Sequence, residues 1–258
     1  MNNTLNNGFK VLEYLAASGK NCSVKEIAEF LDLPPSHACR LLKTLTDTGY
    51  VIQIPGSRKY QIGLKILSLS CEKLANMGLR TRAHHELRRL ADHLCVPVYL
   101  TQVEFGISVI VDTASPSSSC SPIPYVIGRS HSVNRSACGK LCAAHAEPEL
   151  LRILLQQCDY TRTAPASIPD EASFLRELQQ IRKQGYSVIA NETQEGIYAA
   201  AAPVFAGGKM VGAVGVMLTP SAEKPSPEKW NDLISSLMKS AEQLSGIAEN
   251  FYTPPHLS

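Results

Sequence analysis

Residues 23–49, SVKEIAEFLDLPPSHACRLLKTLTDTG, contain the pattern of two short helices with a sharp turn between them. Ser23 and Glu26 match a capping box, in which each side chain can bond the backbone amide of the other residue at the start of a helix. Pro34 and Pro35 donate no amide hydrogen bond and disfavour helical backbone in the residue before them, so they end the first helix. These local signals predict the first half of a helix-turn-helix.

The second helix is predicted over residues 36–48, with Gly49 as a left-handed residue that ends it. Its apolar positions follow three-and-four spacing and are expected to face inward: Ala38, Leu41, Leu42 and Leu45. The other face is polar and net basic: Ser36, His37, Arg40, Lys43, Thr44 and Asp47. A polar helix face is usually only a solvated surface, but a recognition helix in the DNA major groove needs such a face. The basic hairpin that follows favours the DNA interpretation.

That hairpin, or wing, is predicted over residues 50–63, YVIQIPGSRKYQIG. Strand-forming residues flank a Pro-Gly-Ser turn, which is the pattern of two short antiparallel strands. We expect Arg58 and Lys59 at its tip to contact DNA phosphates, which adds affinity without sequence information. The alternative is a hairpin tip that is merely solvated. The predicted DNA contacts are Ser36, His37 and Arg40 nearest the bases, Lys43, Arg58 and Lys59 nearest phosphate, and Thr44 on the same face.

Charge and cysteine content indicate an ordinary globular protein rather than a uniformly basic protein that coats nucleic acid. The 258 residues carry a net charge of +2, but residues 1–79 hold nine Lys and Arg against six Asp and Glu, whereas residues 80–258 hold sixteen against seventeen. The positive charge therefore lies with the predicted helix-turn-helix, as expected for a DNA-binding protein. Eight scattered cysteines and no charged-then-apolar leader indicate reduced thiols and a cytoplasmic protein. No apolar run approaches ~20 residues, so no membrane span is expected.

Outside this region, the sequence predicts further helices and strands. A helix over residues 7–18 is expected to turn Phe9 inward. A leucine stripe that includes Leu67 and Leu74 predicts a helix whose exposed side chains could join two copies of the chain. The following sequence alternates helical and strand patterns up to a long closing helix, with a weak strand over residues 123–127. This order predicts an α+β module.

Several motifs together resemble the IclR family of bacterial transcription regulators over nearly the whole chain. The similar segments are LPPSHACRLLKTL at 33–45, GRSHSVNRSACGKLCAA at 128–144, IRKQGYSV at 181–188 and ETQEGIYAAAAPVFAGGKMVGAVGVM at 192–217. The resemblance implies a winged helix-turn-helix over 1–63, a linker helix over 64–79, and a GAF-like effector-binding, oligomerising domain over 80–252. It also implies a homodimer or homotetramer on a palindromic double-stranded DNA operator, acting as repressor or activator of a catabolic operon.

The resemblance also implies an effector pocket at the start of the helix that follows the GR segment. There the backbone amides of Ala137, Cys138 and Gly139 are implied to receive a small carboxylate, because free amides and the helix dipole attract anions. Ser136 and Lys140 could assist, although Lys140 could equally be solvated outside the pocket.

Three positions depart from the family pattern and change the expected effector. Ala199, Gly215 and Met217 stand where many family members carry a cysteine and two serines. Tyr198 is adjacent to them. The loss of three polar groups indicates a less polar pocket, so an aromatic or branched organic acid is expected.

An enzyme is the alternative class of function. Cys138, Cys142 and His145 have helical spacing that could place a thiolate beside an imidazole, or bind zinc. Packed thiols are the simpler interpretation, because no further metal ligand is evident nearby. We therefore expect no catalytic activity, no metal and no cofactor.

Overall fold

The computed structural model describes residues 3–104, 106–118, 125–130, 132–218 and 226–251. Within it, residues up to Asn76 form one compact unit and residues from Met77 onward form another. The N-terminal unit contains α1 (Asn3–Ser18), β1 (Cys22–Ser23), α2 (Val24–Leu31), α3 (Pro35–Asp47), β2 (Val51–Gln53), β3 (Lys59–Ile62) and α4 (Lys65–Ala75). Its three strands form an antiparallel sheet in the order β1-β3-β2.

Local hydrogen bonds explain why α2 and α3 begin and end where they do. The Ser23 amide donates to Glu26 Oε2 at 2.7 Å, and the Glu26 amide donates to Ser23 Oγ at 3.3 Å, which confirms the capping box. Asp32 takes a left-handed conformation with φ 52° and turns the chain towards Pro35. After α3, Gly49 has φ 81°, and its amide and that of the next residue bond carbonyl groups in the last turn of α3.

The core of the N-terminal unit differs from the prediction in α1. This helix begins at Asn3 and buries Val11 and Leu15, whereas Phe9 is 56% exposed. The expected inward position of Phe9 is therefore wrong. The apolar stripe of α1 is set by its packing against α2 and α3, and this packing selects Val11 in place of Phe9.

The C-terminal unit is a five-stranded antiparallel sheet with helices on both faces. Its elements are α5 (Gly78–Leu94), β4 (Val98–Glu104), β5 (Ile107–Ala114), α6 (Ala137–Ala144), α7 (Pro148–Leu155), α8 (Glu171–Gln184), β6 (Ser187–Ala190), β7 (Tyr198–Ala206), β8 (Lys209–Leu218) and α9 (Pro227–Glu249). The strand order is β5-β4-β8-β7-β6. Helices α5 and α9 contact each other and the sheet, while α6 packs on the sheet together with α8. The mixed helix and sheet content confirms the predicted fold class.

The weak strand expected over residues 123–127 is not formed in its described part. Residues 123 and 124 lie outside the described residues, and residues 125–127 have no strand pairing. The backbone pairs with β5 from Gly128 onward: the Gly128 amide donates to the Ile110 carbonyl at 2.8 Å, and Ser130 bridges Val109. Tyr125 is instead held by its side chain, whose hydroxyl oxygen accepts a hydrogen bond from the Met217 amide at 2.6 Å.

No helix in the described ranges is long and apolar enough to cross a membrane.

Candidate DNA-binding and effector-binding sites

The two faces of α3 separate as the sequence predicts. Ala38, Leu41 and Leu42 are buried in the core of the N-terminal unit. The predicted DNA contacts on this helix are exposed, apart from the half-buried His37: Ser36, Arg40, Lys43 and Thr44. Cys39 is also exposed on the same side of α3. Cys39 was not predicted on this face, because cysteine counts as an apolar residue and gives no polar signal in a helical pattern.

The wing places its two cations in solvent. Arg58 lies in the turn and Lys59 begins β3, and both side chains are exposed. The turn is held by the Ile54 amide, which donates to the Lys59 carbonyl at 2.9 Å. In the part of the chain that the structure describes, no carboxylate pairs with Arg40, Lys43, Arg58 or Lys59. Their charges are therefore available to an anionic partner.

In the C-terminal unit, the first turn of α6 uses one of its amides internally. Ser136 is the N-cap, and its Oγ accepts a hydrogen bond from the Gly139 amide at 3.0 Å. The amides of Ala137 and Cys138 form no hydrogen bond among the described residues. Two of the three predicted amide donors thus have no partner within the described ranges, while that of Gly139 is occupied.

A cavity of about 370 Å³ lies beside this turn. Its walls are mainly apolar: Tyr99, Ile110, Tyr125, Ala137, Ile189, Ile197, Ala199 and Met217. Its polar lining consists of Arg129, Ser130, Ser132, Arg135, Ser136 and Thr193. The volume is that of a typical small-molecule site, and the combination of apolar walls with a few polar groups is characteristic of such sites.

Four of the eight predicted effector residues line this cavity: Ser136, Ala137, Ala199 and Met217. Tyr198 does not, because successive side chains of β7 point to opposite faces of the sheet. Its ring packs against Trp230 of α9 with centroids 6.2 Å apart. Cys138, Gly139 and Gly215 also lie outside the lining. Gly139 packs so closely under the loop at residues 132–133 that a side chain would collide with its carbonyl oxygens.

The two arginines of the cavity were missed by sequence analysis, and they differ in availability. Arg135 pairs with Asp159, 3.1 Å from its carboxylate, and also donates to the Thr161 carbonyl at 2.5 Å. Arg129 is exposed, and its guanidinium has no partner among the described residues. Arg129 is therefore the cation of this cavity that can pair with a ligand. The sequence shows the GR segment, but it does not show that this segment lines the cavity.

Tyr99 and Tyr125, the aromatic residues of the cavity wall, were also missed. Their rings are 4.6 Å apart and tilted by 59°. Burial raises the pKa of both phenols well above the usual value, so both hydroxyl groups stay protonated at neutral pH. Aromatic residues in strands are usually core residues, and the sequence offers no signal that separates these two from other buried rings.

Lys140 occupies neither of its expected places, assisting the ligand or facing solvent. It is completely buried, and its Nζ lies 2.5 Å from carboxylate oxygens of both Glu177 and Glu192. Both expectations were wrong because the partners come from α8 and from the segment after β6, which are distant in sequence. The pKa of Glu192 is raised by burial, although the attraction of Lys140 opposes this. Lys140 therefore fixes α6 to the segment that carries Thr193, a lining residue of the cavity.

The catalytic alternative lacks the required chemistry. Burial raises the pKa of Cys138 to about 11 and that of Cys142 to about 12, the opposite of thiolate activation. Burial and nearby Arg182 lower the pKa of His145, and its ring packs edge-on against Phe205. No group of three or more metal-ligating side chains occurs among the described residues.

Comparison with known families identifies the family of this chain. The sequence model of the bacterial transcriptional regulator IclR C-terminal domain matches residues 71–246, more than half of the chain. The IclR helix-turn-helix model matches residues 4–55. The chain belongs to the IclR family. As a member of this family it is a transcriptional regulator, which agrees with the expectation that it is not an enzyme.

Individual IclR-family relatives are distant in sequence. HTH-type transcriptional regulator KdgR of Dickeya chrysanthemi is 27% identical over 198 residues, 76% of this chain and 65% of that protein. KdgR of Escherichia coli K12 is 26% identical over 238 residues, 92% of this chain and 90% of that protein. HTH-type transcriptional repressor AllR of E. coli K12 is 29% identical over 217 residues, 82% of this chain and 78% of that protein.

Solved structures of IclR regulators share the fold. The regulator from Alicyclobacillus acidocaldarius has a TM-score of 0.77 and 25% identity, over 96% of this chain and 99% of that chain. An IclR homologue from Microbacterium hydrocarbonoxydans in complex with 4-hydroxybenzoate has a TM-score of 0.73 and 18% identity, over 96% of this chain and all of that chain.

Proposed function

We propose that this regulator binds a palindromic operator in the cytoplasm through α3 and the wing, and that an aromatic or branched organic acid controls this binding. The observation that carries the proposal is the cavity in the C-terminal unit, which combines apolar walls with Arg129 and the Ala137 amide, neither of which has a partner among the described residues. We assign DNA binding to residues 1–63, a linker to 64–79, and effector binding and oligomerisation to 80–252.

The DNA half of the proposal rests on the exposed face of α3. Helix-turn-helix proteins place the N-terminal end of the second helix against base edges in the major groove. Ser36 and Arg40 are exposed at this end of α3, with His37 half-buried beside them. Lys43, Arg58 and Lys59 supply the positive charge that binds phosphate.

The DNA test uses a palindrome selected from random DNA by the wild-type protein. Arg40→Ala is expected to lose about 1–3 kcal/mol of discrimination between this palindrome and random DNA, because Arg reads guanine through two hydrogen bonds. Lys59→Ala should weaken binding to all DNA sequences alike. It should also reduce the slope of log affinity against log salt concentration by about one. Lys239→Ala, an exposed lysine of α9, is the charge-matched control and should change neither. Full discrimination by Arg40→Ala would show that α3 is not the recognition helix.

Self-association is supported by α4. Leu67 and the neighbouring Leu64 and Leu69 are exposed apolar side chains, whereas Leu74 is half-buried. A palindrome binds two equivalent recognition helices, so a twofold dimer is expected, and tetramers follow from a second interface. Leu67→Asp with Leu74→Asp should give monomers that no longer bind the palindrome. A wild-type protein that sediments as a monomer at micromolar concentration would refute this assignment.

The effector class follows from the separation of charge and apolar surface in the cavity. The amide of Ala137, which has no partner among the described residues, provides one anion-binding site together with Arg129. The walls formed by Ala199 and Met217 offer no polar group to a second oxygen. A ring or branched chain with one carboxylate fits this division better than glyoxylate, which needs polar contacts on all sides. The 4-hydroxybenzoate bound by the M. hydrocarbonoxydans homologue belongs to the same chemical class.

The effector test is calorimetric titration with benzoate, 4-hydroxybenzoate and glyoxylate, followed by operator binding at saturating acid. Arg129→Ala should weaken the binding of benzoate about tenfold, because one charge-assisted contact is lost. Arg152→Ala, which removes an exposed arginine of α7 away from the cavity, should have no effect. A bound acid must also change operator affinity, since a ligand acts only by favouring one conformation. Tight glyoxylate binding that survives Met217→Glu would refute the apolar pocket.

A further inference from the structure

The loop at residues 191–197, between β6 and β7, forms part of the cavity wall. Two of its residues line the cavity, Thr193 with a hydroxyl group and Ile197 with an apolar side chain. The Thr193 carbonyl accepts a hydrogen bond from the Thr163 hydroxyl group at 3.0 Å, which fixes the loop to a preceding segment. A ligand that fills the cavity therefore contacts this loop, and the position of the loop determines two of the groups that the ligand meets.

Asn191 closes this loop through both its backbone and its side chain. It has φ 57°, a left-handed conformation that asparagine adopts more readily than most residues with a side chain. Its amide donates to the Ile197 carbonyl at 3.0 Å, and its Oδ1 accepts a hydrogen bond from the Gly196 amide at 2.7 Å. Its Nδ2 donates to the Tyr198 hydroxyl group at 3.1 Å. Asn191 thus joins the first residue of the loop to its last two residues and to the start of β7.

Tyr198 connects the loop to α9. Its side chain lies on the face of β7 opposite the cavity, where its ring packs edge-on against Trp230, with centroids 6.2 Å apart and planes at 74°. Trp230 lies near the start of α9 and is the only tryptophan of the chain. Helix α9 packs against β7 and α5. The contacts from Asn191 to Tyr198 and then to Trp230 therefore form a continuous connection from the cavity wall to this helix.

A second connection holds the same loop but is less suited to respond to a ligand. Lys140 pairs with Glu192 and is completely buried, so its loss would leave a largely buried carboxylate without its cation. Asn191 and Tyr198 are half-buried and uncharged. Removal of the hydrogen bond between them leaves no unpaired charge, so the fold should survive the change.

We propose that Asn191 and Tyr198 are positioning residues of the cavity. They hold Thr193 and Ile197 against the ligand, and they transmit a shift of the loop to Trp230 and so to α9. This inference rests on the proposed function of the cavity as the effector site. It gives Tyr198 a role in effector binding, although Tyr198 does not line the cavity. A ligand acts only when it favours one arrangement of the protein, and this connection makes the arrangement of α9 depend on the occupied cavity.

The test is titration with benzoate, followed by calorimetry and by the fluorescence of Trp230. Benzoate is expected to change this fluorescence in the wild-type protein. Tyr198→Phe keeps the ring beside Trp230 but loses the hydrogen bond to Asn191, so it should bind benzoate about fivefold more weakly. At saturating benzoate it should also lose most of the fluorescence change, which a mere loss of stability would not remove. Tyr60→Phe in β3 is the matched control and should change neither.

Asn191→Gly tests the other side of the hydrogen bond. Glycine tolerates the left-handed backbone conformation, so this change removes only the side chain. It should weaken benzoate binding by at least about tenfold, because two side-chain hydrogen bonds are lost. Adding Tyr198→Phe should have no further effect, since the two residues share one hydrogen bond. Circular dichroism checks that each variant is folded, and Tyr198→Phe, which removes a single oxygen atom, decides the case if the glycine variant does not fold.

The outcomes separate this inference from the function on which it rests. If the wild-type protein does not bind benzoate, the proposed effector class and the positioning role are both refuted. If Arg129→Ala weakens benzoate binding while Tyr198→Phe retains wild-type affinity and fluorescence change, only the positioning role is refuted. Losses of affinity that add in the double variant refute the shared hydrogen bond. Benzoate binding without any change in the fluorescence of Trp230 refutes the connection to α9.

Discussion

Replacing Lys140 with Met would leave two carboxylates in the C-terminal unit without the cation they share. Its Nζ lies 2.5 Å from an oxygen of Glu177 and 2.5 Å from one of Glu192, and it also donates to the Val188 carbonyl at 3.3 Å. The Lys140 side chain is 0% exposed, and those of Glu177 and Glu192 are 29% and 14% exposed. Methionine fills similar space, so the change removes charge with little loss of volume.

The loss of stability arises because the carboxylates of Glu177 and Glu192 stay largely buried after their shared cation is removed. Removing one partner of a buried ion pair costs about 3–5 kcal/mol, because the other charge stays in a poorly solvated site. Glu177 can regain some hydration through its larger exposure, so the lower figure, about 3 kcal/mol, is expected here. A unit of this size shifts its melting temperature by about 2–4 °C per kcal/mol, which gives a decrease of about 6–12 °C.

The pH dependence has a defined sign. Burial already raises the pKa of Glu192 above its ordinary value of 4.5, and loss of Lys140 raises it further. A folded-state pKa above the unfolded value means that the protonated carboxyl group is favoured in the folded protein, and this advantage is lost as pH rises through the folded pKa. Lys140→Met should therefore be less destabilised at pH 5 than at pH 8.

The assay is thermal unfolding followed by circular dichroism at both pH values. Lys140→Met with Glu192→Gln should recover part of the loss, because one buried charge is then removed. Lys239→Met, an exposed lysine of α9, is the matched control and should change stability by less than about 0.5 kcal/mol. A loss below about 1 kcal/mol for Lys140→Met, or no recovery in the double variant, would refute the buried ion-pair cluster as a source of stability.

Three further substitutions test other parts of the structure. Hydrogen bonds from the Ser23 amide and hydroxyl lower the pKa of Glu26 from 4.5 to about 2. The stability that this carboxylate provides is therefore complete above pH 4.5 and is lost as pH falls towards 2. Glu26→Gln should reduce this loss of stability with falling pH, as followed by circular dichroism. Gly139→Ala should cost about 1–3 kcal/mol by collision with the Ser132 carbonyl. Gly246→Ala, with open space in α9, should instead gain about 0.5–1 kcal/mol in the same thermal assay.

The sequence by itself determined the helix-turn-helix and its exposed face. Capping, proline effects and the left-handed turn act between residues a few positions apart, so Ser23 with Glu26 and the turn ending at Pro35 could be predicted from neighbours alone. The same holds for the exposure of Arg40 and Lys43, because helical periodicity assigns them to the face opposite the leucines. The fold class also followed from the order of helical and strand patterns.

Only the tertiary structure decided which side chains surround the cavity. Tyr99, Arg129 and Met217 reach it from distant elements, and their meeting depends on the sheet order β5-β4-β8-β7-β6. Alternation along β7 shows that Tyr198 and Ala199 point to opposite faces, but packing of α6 and α9 decides which face holds the cavity. Lys140 finds its carboxylates 37 and 52 residues away. Local patterns fix which face of an element a residue occupies, while long-range pairing of the chain fixes what that face meets.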